Sequence, residues 1–188
     1  YYAPRAIYRL LSHGIRTKVS TEPFFHSNGK KFESGAILVS LDNQDKNPDQ
    51  IEVYIREIAE RDGIDVYAFN TGLDYKGVSL GSSSFQLLKK PEIAMLIEGG
   101  VSANDAGEMW HLFDQRFNIP ITLMPLNVFN MASINRYNTL ILPPGTYNLI
   151  SENAKEKLKA WTQSGGLIIG FENALNWLNT AGLGKFDL

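Results

Sequence analysis

The feature that most restricts how this chain can fold is the stretch 91–107, PEIAMLIEGGVSANDAG, in which the apolar run Ile93–Ile97 opens into Glu98, Gly99 and Gly100. Five apolar residues bounded by a tight loop read as a strand buried on both faces, the pattern of a central parallel strand. Beyond the glycines, Ser102 or Asn104 is suited to cap a helix on which Trp110, Phe113 and Phe117 share a face. A strand, loop and helix of this kind fold back over their own sheet, and the crossover is expected to be right-handed.

The alternation continues downstream. Residues 121–124 read as a second strand, 126–134 leave room for only a short helix, and Thr139–Leu142 form a third strand closed by Pro143, Pro144 and Gly145. Ser151 caps a helix whose Ala154, Leu158 and Trp161 lie on one face, and Gly165 and Gly166 end it before a fourth strand, Leu167–Gly170. The order β-α-β-α-β-α-β specifies an α/β fold, a parallel sheet flanked by helices. In such sheets ligands sit beyond the carboxyl ends of the strands. The candidate ligand-binding residues are therefore Glu98, Gly99, Asp105, Glu108, Gly145 and Glu172.

A smaller α/β segment precedes this unit. Pro4 opens a helix carrying Ile7, Leu10 and Leu11, and Gly14 ends it. Residues 15–19 alternate as a strand, 22–35 read as a polar connection containing the packing pair Phe24 and Phe25, and 36–41 read as the next strand. Pro48 opens a second helix, with Ile51, Tyr54, Ile55 and Ile58 on one stripe and Gly63 at its end, and 66–69 read as a further strand. From 70 to 84 the composition shifts to Gly, Ser and Asp, the mark of a linker or a long functional loop. A boundary near residue 88 divides the chain into a joining segment, 1–88, and an α/β domain, 89–188.

Composition excludes several function classes. With 188 residues, 44% of them hydrophobic, the chain can bury an ordinary core. Net charge is −2 and no apolar run exceeds a few residues, which argues against a membrane span and a charge-driven polymer partner. Residues 1–31 carry six Lys or Arg against one Glu, but they are dispersed, as on a solvated face rather than a nucleic-acid site. The absence of cysteine removes disulfides, thiolate metal sites and a cysteine nucleophile together. A start at Tyr1 and Tyr2 without an initiator Met or signal peptide, and a stop at Lys185-Phe186-Asp187-Leu188 without a closing helix, read as a piece excised from a longer polypeptide.

Chemistry-bearing groups are sparse. Glu98, Gly99 and Gly100 before a helix can offer N–H groups to an anion, but G-x-G-x-x-G and G-x-x-x-x-G-K-[ST] are both missing, so a tight turn is the plainer reading. Asp105, Glu108, His111 and Asp114 recur every third residue, a spacing that suits metal or acid–base work. The plainer reading is that Asp105 and Glu108 complement the helix dipole. His13 and His26 are isolated, and Trp110, Trp161 and Trp177 are expected to cover the sheet.

The runs DAGEMWHLFDQRFNIPITLMPL, RYNTLILPPGTY and LKAWTQSGGLIIGFENALNWL resemble the domain of class I glutamine amidotransferase type that follows the catalytic domain in a group of bacterial zinc carboxypeptidases of the carboxypeptidase A clan. APRAIYRLLSHGI, SGAILVSL and GVSLGSSSF are similar to the segment joining the two, so the resemblance covers nearly the whole chain. It implies a flavodoxin-like, amidotransferase-like fold, a periplasmic or secreted parent enzyme, zinc in an upstream peptidase domain, and that domain as partner. In such folds a nucleophile sits at the sharp turn after a central strand. Here that turn reads Ile169, Gly170, Phe171 and Glu172, and the residues three after His13, His26 and His111 are Arg16, Gly29 and Asp114, so no H-x-x-E pair exists. The resemblance thus implies a non-catalytic accessory region with no cofactor of its own, contributing to substrate access, packing or homodimerisation. Two other readings stand beside it: a module binding a peptide, sugar or other small molecule, and a hydrolase using Glu98, Glu108 or Glu172.

Overall fold

The computed structural model describes residues 1–26, 28–73 and 77–185. The chain divides into two compact units, Tyr1–Lys90 and Pro91–Leu188. Residues 74–76 of the Gly- and Ser-rich stretch, and the last three residues of the chain, lie outside the described residues.

In the first unit, α1 (Ala3–Ser12) has Pro4 in its first turn and buries Ala6 and Leu10. Helix α2 (Pro48–Asp62) is capped by Asn47, whose side chain accepts from Asp49 N–H at 2.8 Å, and ends at the left-handed Gly63. The two helices meet through Leu10, Ile15, Ile51 and Ile58. Asp62 closes the contact: its carboxylate is buried and accepts from Arg5 Nε at 2.7 Å and from Arg9 Nη1 at 2.7 and 2.8 Å. A three-stranded antiparallel sheet has the order β4 (Ile37–Leu38), β1 (Lys18–Ser20), β5 (Phe85–Leu87).

Three sequence expectations change here. The stretch 22–35 is not a plain connection but contains a hairpin, β2 (Phe24–Phe25) with β3 (Lys31–Phe32), held by a stack of Phe24 on Phe32 with ring centroids 5.0 Å apart. The strand expected at 66–69 joins no ladder; Tyr67 packs on Phe32, and Phe69 packs on Phe24 and Phe32, so its aromatic residues serve the hairpin instead. The stretch after Asn70 returns to the same unit as β5, which pairs with β1.

The second unit holds a four-stranded parallel sheet flanked by helices, with the order β7 (Ile121–Pro125), β6 (Ile93–Ile97), β8 (Thr139–Leu142), β9 (Leu167–Gly170). It is an α/β fold. Pairing is in register across the centre: Met95 faces Leu123 on one side and Ile141 on the other. Because side chains alternate along a strand, Ala94, Leu96, Leu140 and Leu142 enter one layer. There they meet Phe129 of α4 (Leu126–Phe129), Leu158 and Trp161 of α5 (Glu152–Gln163), and Leu178 of α6 (Ala174–Thr180). Burying each such Leu contributes about 2 kcal/mol. Met95 and Ile141, on the opposite side, are fully buried too, and α3 (Ala103–Trp110), with its buried Ala106, packs on β6.

Two helices follow their sequence signals. Ser151 caps α5 by accepting from Ala154 N–H at 3.2 Å, and Ser102, not Asn104, caps α3 by accepting from Asp105 N–H at 3.4 Å. Beyond Trp110, however, the chain continues as a π-helix, His111–Arg116. Bonding from i to i+5 widens the turn, so residues spaced for an α-helix no longer align. Trp110, the last residue of α3, is exposed, against the expectation that it covers the sheet, and Phe113 and Phe117 are half-buried. Trp161 is buried, and Trp177 packs partly buried against the same core, its ring 5.4 Å from that of Tyr147. Among the described residues no helix is long and apolar enough to cross a membrane.

Candidate functional site

In sequence order the four parallel strands are arranged 2-1-3-4, so the chain leaves β6 toward one side of the sheet and β8 toward the other. The crevice between their carboxyl ends is where an open α/β sheet receives a ligand. Its walls are the loop after β6 (98–102), the loop after β8 (143–150) and the turn after β9 (171–173).

These segments are stitched to one another. Val101 and Gly145 form an antiparallel bridge; Ser102 N–H donates to Pro144 O at 2.8 Å and Thr146 N–H to Gly100 O at 3.0 Å. The turn after β9 joins through Asn173, whose Oδ1 accepts from Gly145 N–H at 2.6 Å. Phe171 N–H returns to Leu142 O at 3.1 Å, and Val101 N–H to Glu98 O at 3.1 Å. Tyr147 braces the loop from below: its hydroxyl is buried and donates to Pro143 O. Burial pushes the phenol well above the usual tyrosine range.

Close approach explains two of the glycines. A Cβ at Gly145 would lie 2.7 Å from Val101 Cα, and one at Gly100, whose φ is +110°, would lie 2.3 Å from Thr146 Oγ1. Only glycine lets the loops meet this closely. Two non-glycine residues at the same edge also have left-handed backbones, Glu98 at φ 60° and Glu172 at φ 48°. Each costs about 1–2 kcal/mol in that conformation, and each ends the strand-to-loop turn of its strand. Within the turn 169–172 read from the sequence, the left-handed backbone belongs to Glu172.

The six residues singled out from the sequence occupy this edge unequally. Glu98 and Gly99 are exposed after β6, Gly145 is half-buried after β8, and Glu172 is exposed beside Asn173. Their loops are brought together by the bonds above. Asp105 sits in the first turn of α3, tied to the crevice through Ser102, while Glu108 is exposed a turn further along. His111 and Asp114 fall in the π-helix, where Asp114 accepts from Gln115 at 2.6 Å rather than aligning with His111. His13 and His26 belong to the first unit: His13 lies against Arg9 O and the Tyr54 hydroxyl, and His26 against Ala68 O. Among the described residues no group of three or more His, Cys, Asp or Glu is arranged to hold a metal.

Asn173 lies at a strand end legible in the sequence but is not among the six candidates. At the N-cap position of α6, it makes no side-chain cap bond and turns its side chain to Gly145. Two surface hollows lie away from the crevice, and none of the six candidates lines either. One, of about 480 Å³, lies beside β9 and α6 against Ile168, Gly170 and Leu178. The other, of about 570 Å³, lies between residues 129–135 and α5.

No protein-family model, curated protein or solved structure matches this chain.

Proposed function

We propose that this chain is a non-catalytic accessory region of a bacterial zinc metallocarboxypeptidase, its second unit being a flavodoxin-like domain of class I glutamine amidotransferase type. The observation that carries the reading is the sealed crevice. An acyl-transfer site needs a nucleophile and backbone donors left free to meet a developing oxyanion. Here the donors of Ser102, Gly145 and Thr146 are committed to neighbouring segments and that of Val101 to Glu98 O in its own turn, and the turn after β9 holds Phe171 and Glu172 in place of Cys or Ser. The 2-1-3-4 strand order supports the flavodoxin-like assignment.

In this reading zinc and peptide hydrolysis belong to a peptidase domain upstream in the same polypeptide, in the periplasm or outside the cell. The chain's own part is packing against that domain, with homodimerisation as a second structural role. Leu167 and Phe171, exposed on β9 and the turn after it, are side chains that such packing would cover. The test begins with the gene: the reading frame ahead of Tyr1 should encode an H-x-x-E domain. The full-length enzyme lacking 91–188 should keep its zinc and its kcat while losing stability. A frame without that domain, or a deletion that abolishes zinc binding, would overturn the reading.

A further inference from the structure

The hollow of about 570 Å³ on the α5 side of the second unit is built differently from the sealed crevice. Along α5 and its C-cap, Ala154, Lys157, Trp161 and Ser164 recur on one face and line the hollow. Opposite stand Phe129 and Ile134. Phe129, Ile134 and Trp161 are buried core residues, so these walls are fixed by the packing behind them. The indole is further fixed by its N–H, which donates to Tyr137 O at 3.1 Å.

Two features are unexplained by packing. Met131, at the rim, is 82% exposed, and a flexible thioether beside a rigid apolar wall is a side chain able to fold over a bound group. Lys157 makes no ion pair among the described residues, although its neighbours Lys155 and Lys159 bind Glu152 and Glu156 at 2.7 and 2.8 Å. One cation without an ion pair, at the edge of a recess that sets Phe129, Ile134 and Trp161 beside the polar Ser133, Asn135 and Ser164, suits an apolar body carrying a single negative charge, and the volume is that of a small-molecule site.

We infer that this hollow is a binding site for a small monoanion with an aromatic or aliphatic body, its apolar part against Trp161, Phe129 and Ile134 and its anionic end at Lys157. The site is independent of the accessory reading and of the crevice. Phenylacetate is the probe, with benzyl alcohol as the uncharged control, titrated into the full chain to roughly 10 mM, a range that captures millimolar affinity. NMR reads the Met131 methyl and the three indole N–H signals. Saturable shifts at Met131 and Trp161, without comparable shifts at Trp110 and Trp177, are expected. Lys157 is exposed, so Lys157→Glu should fold normally and weaken binding by about fivefold or more, the loss of one partly exposed charge contact; Lys159→Glu should leave it unchanged. Absence of a saturable shift, equal binding of benzyl alcohol, or indifference to Lys157→Glu would overturn the assignment.

Discussion

Gly145 N–H and Asn173 Oδ1 lie 2.6 Å apart, and this one bond ties the turn after β9 to a loop already bridged to the turn after β6. Three chain segments at the carboxyl edge of the sheet thereby become one rigid rim. Asn173→Ala should cost the second unit about 1–2 kcal/mol, since a donor at a crowded rim loses its partner. Asn173→Asp, which keeps an acceptor, should cost less. All three tryptophans, Trp110, Trp161 and Trp177, lie in this unit, so urea unfolding followed by tryptophan fluorescence reports it directly.

Left-handed backbone at Glu98 and Glu172 makes a second prediction. Glu172→Gly and Glu98→Gly remove the side-chain clash that L-residues suffer there, at a smaller cost in unfolded-chain entropy. Each should raise the midpoint of the same unfolding transition, by about 0.5–1 kcal/mol of stability. A fall would mean that the carboxylates make stabilising contacts at the rim.

Tyr147 supplies a pH dependence. Its folded-state phenol titrates above the ordinary tyrosine range because it is buried. The unfolded state therefore loses its proton first as pH rises. Stability is fully present below about pH 10 and falls above it by about 1.4 kcal/mol per pH unit. Tyr147→Phe should cost about 1 kcal/mol at neutral pH through the lost bond to Pro143 O, and should remove that residue's share of the alkaline slope. Unfolding midpoints measured from pH 8 to 11 for both proteins check it.

In the first unit, Asp62→Ala should cost about 3–5 kcal/mol, because Arg5 and Arg9 would keep their half-hidden charges without a counterion. Hydrogen exchange in α1 and α2 should accelerate. Unchanged protection would show that the helices hold together by their apolar contacts alone.

How much of this was legible in the sequence depended on whether the signal was local. The run Ile93–Ile97 ending in glycines, the Ser151 cap and the stripe Ala154, Leu158, Trp161 each carry their own periodicity or capping chemistry, and each formed as written. The β2–β3 hairpin and β5 did not announce themselves, because two- and three-residue strands have too few positions to show a period of two, and β5 is specified by its partner β1, more than 60 residues away. Residues 66–69 have strand-forming side chains whose aromatic rings pack on the hairpin, a tertiary choice that overrides local preference. The π-helix was hidden for a similar reason: Trp110, Phe113 and Phe117 have α-helical spacing, and only the wider turn that follows misaligns them. At the candidate site the strand ends were legible, while the bond that closes them joins Asn173 to Gly145, a contact between distant positions that no local pattern encodes.

The most direct test of the account is metal analysis of the purified chain paired with a C-terminal peptide hydrolysis assay. Activated water on zinc requires ligands that leave one coordination position open, and covalent attack requires a nucleophile facing free donors. The account predicts no stoichiometric zinc and no hydrolysis above the uncatalysed rate. Stoichiometric zinc, together with hydrolysis that is lost on His111→Ala, would contradict it and would make the segment from Asp105 to Asp114 an active site rather than a structural helix.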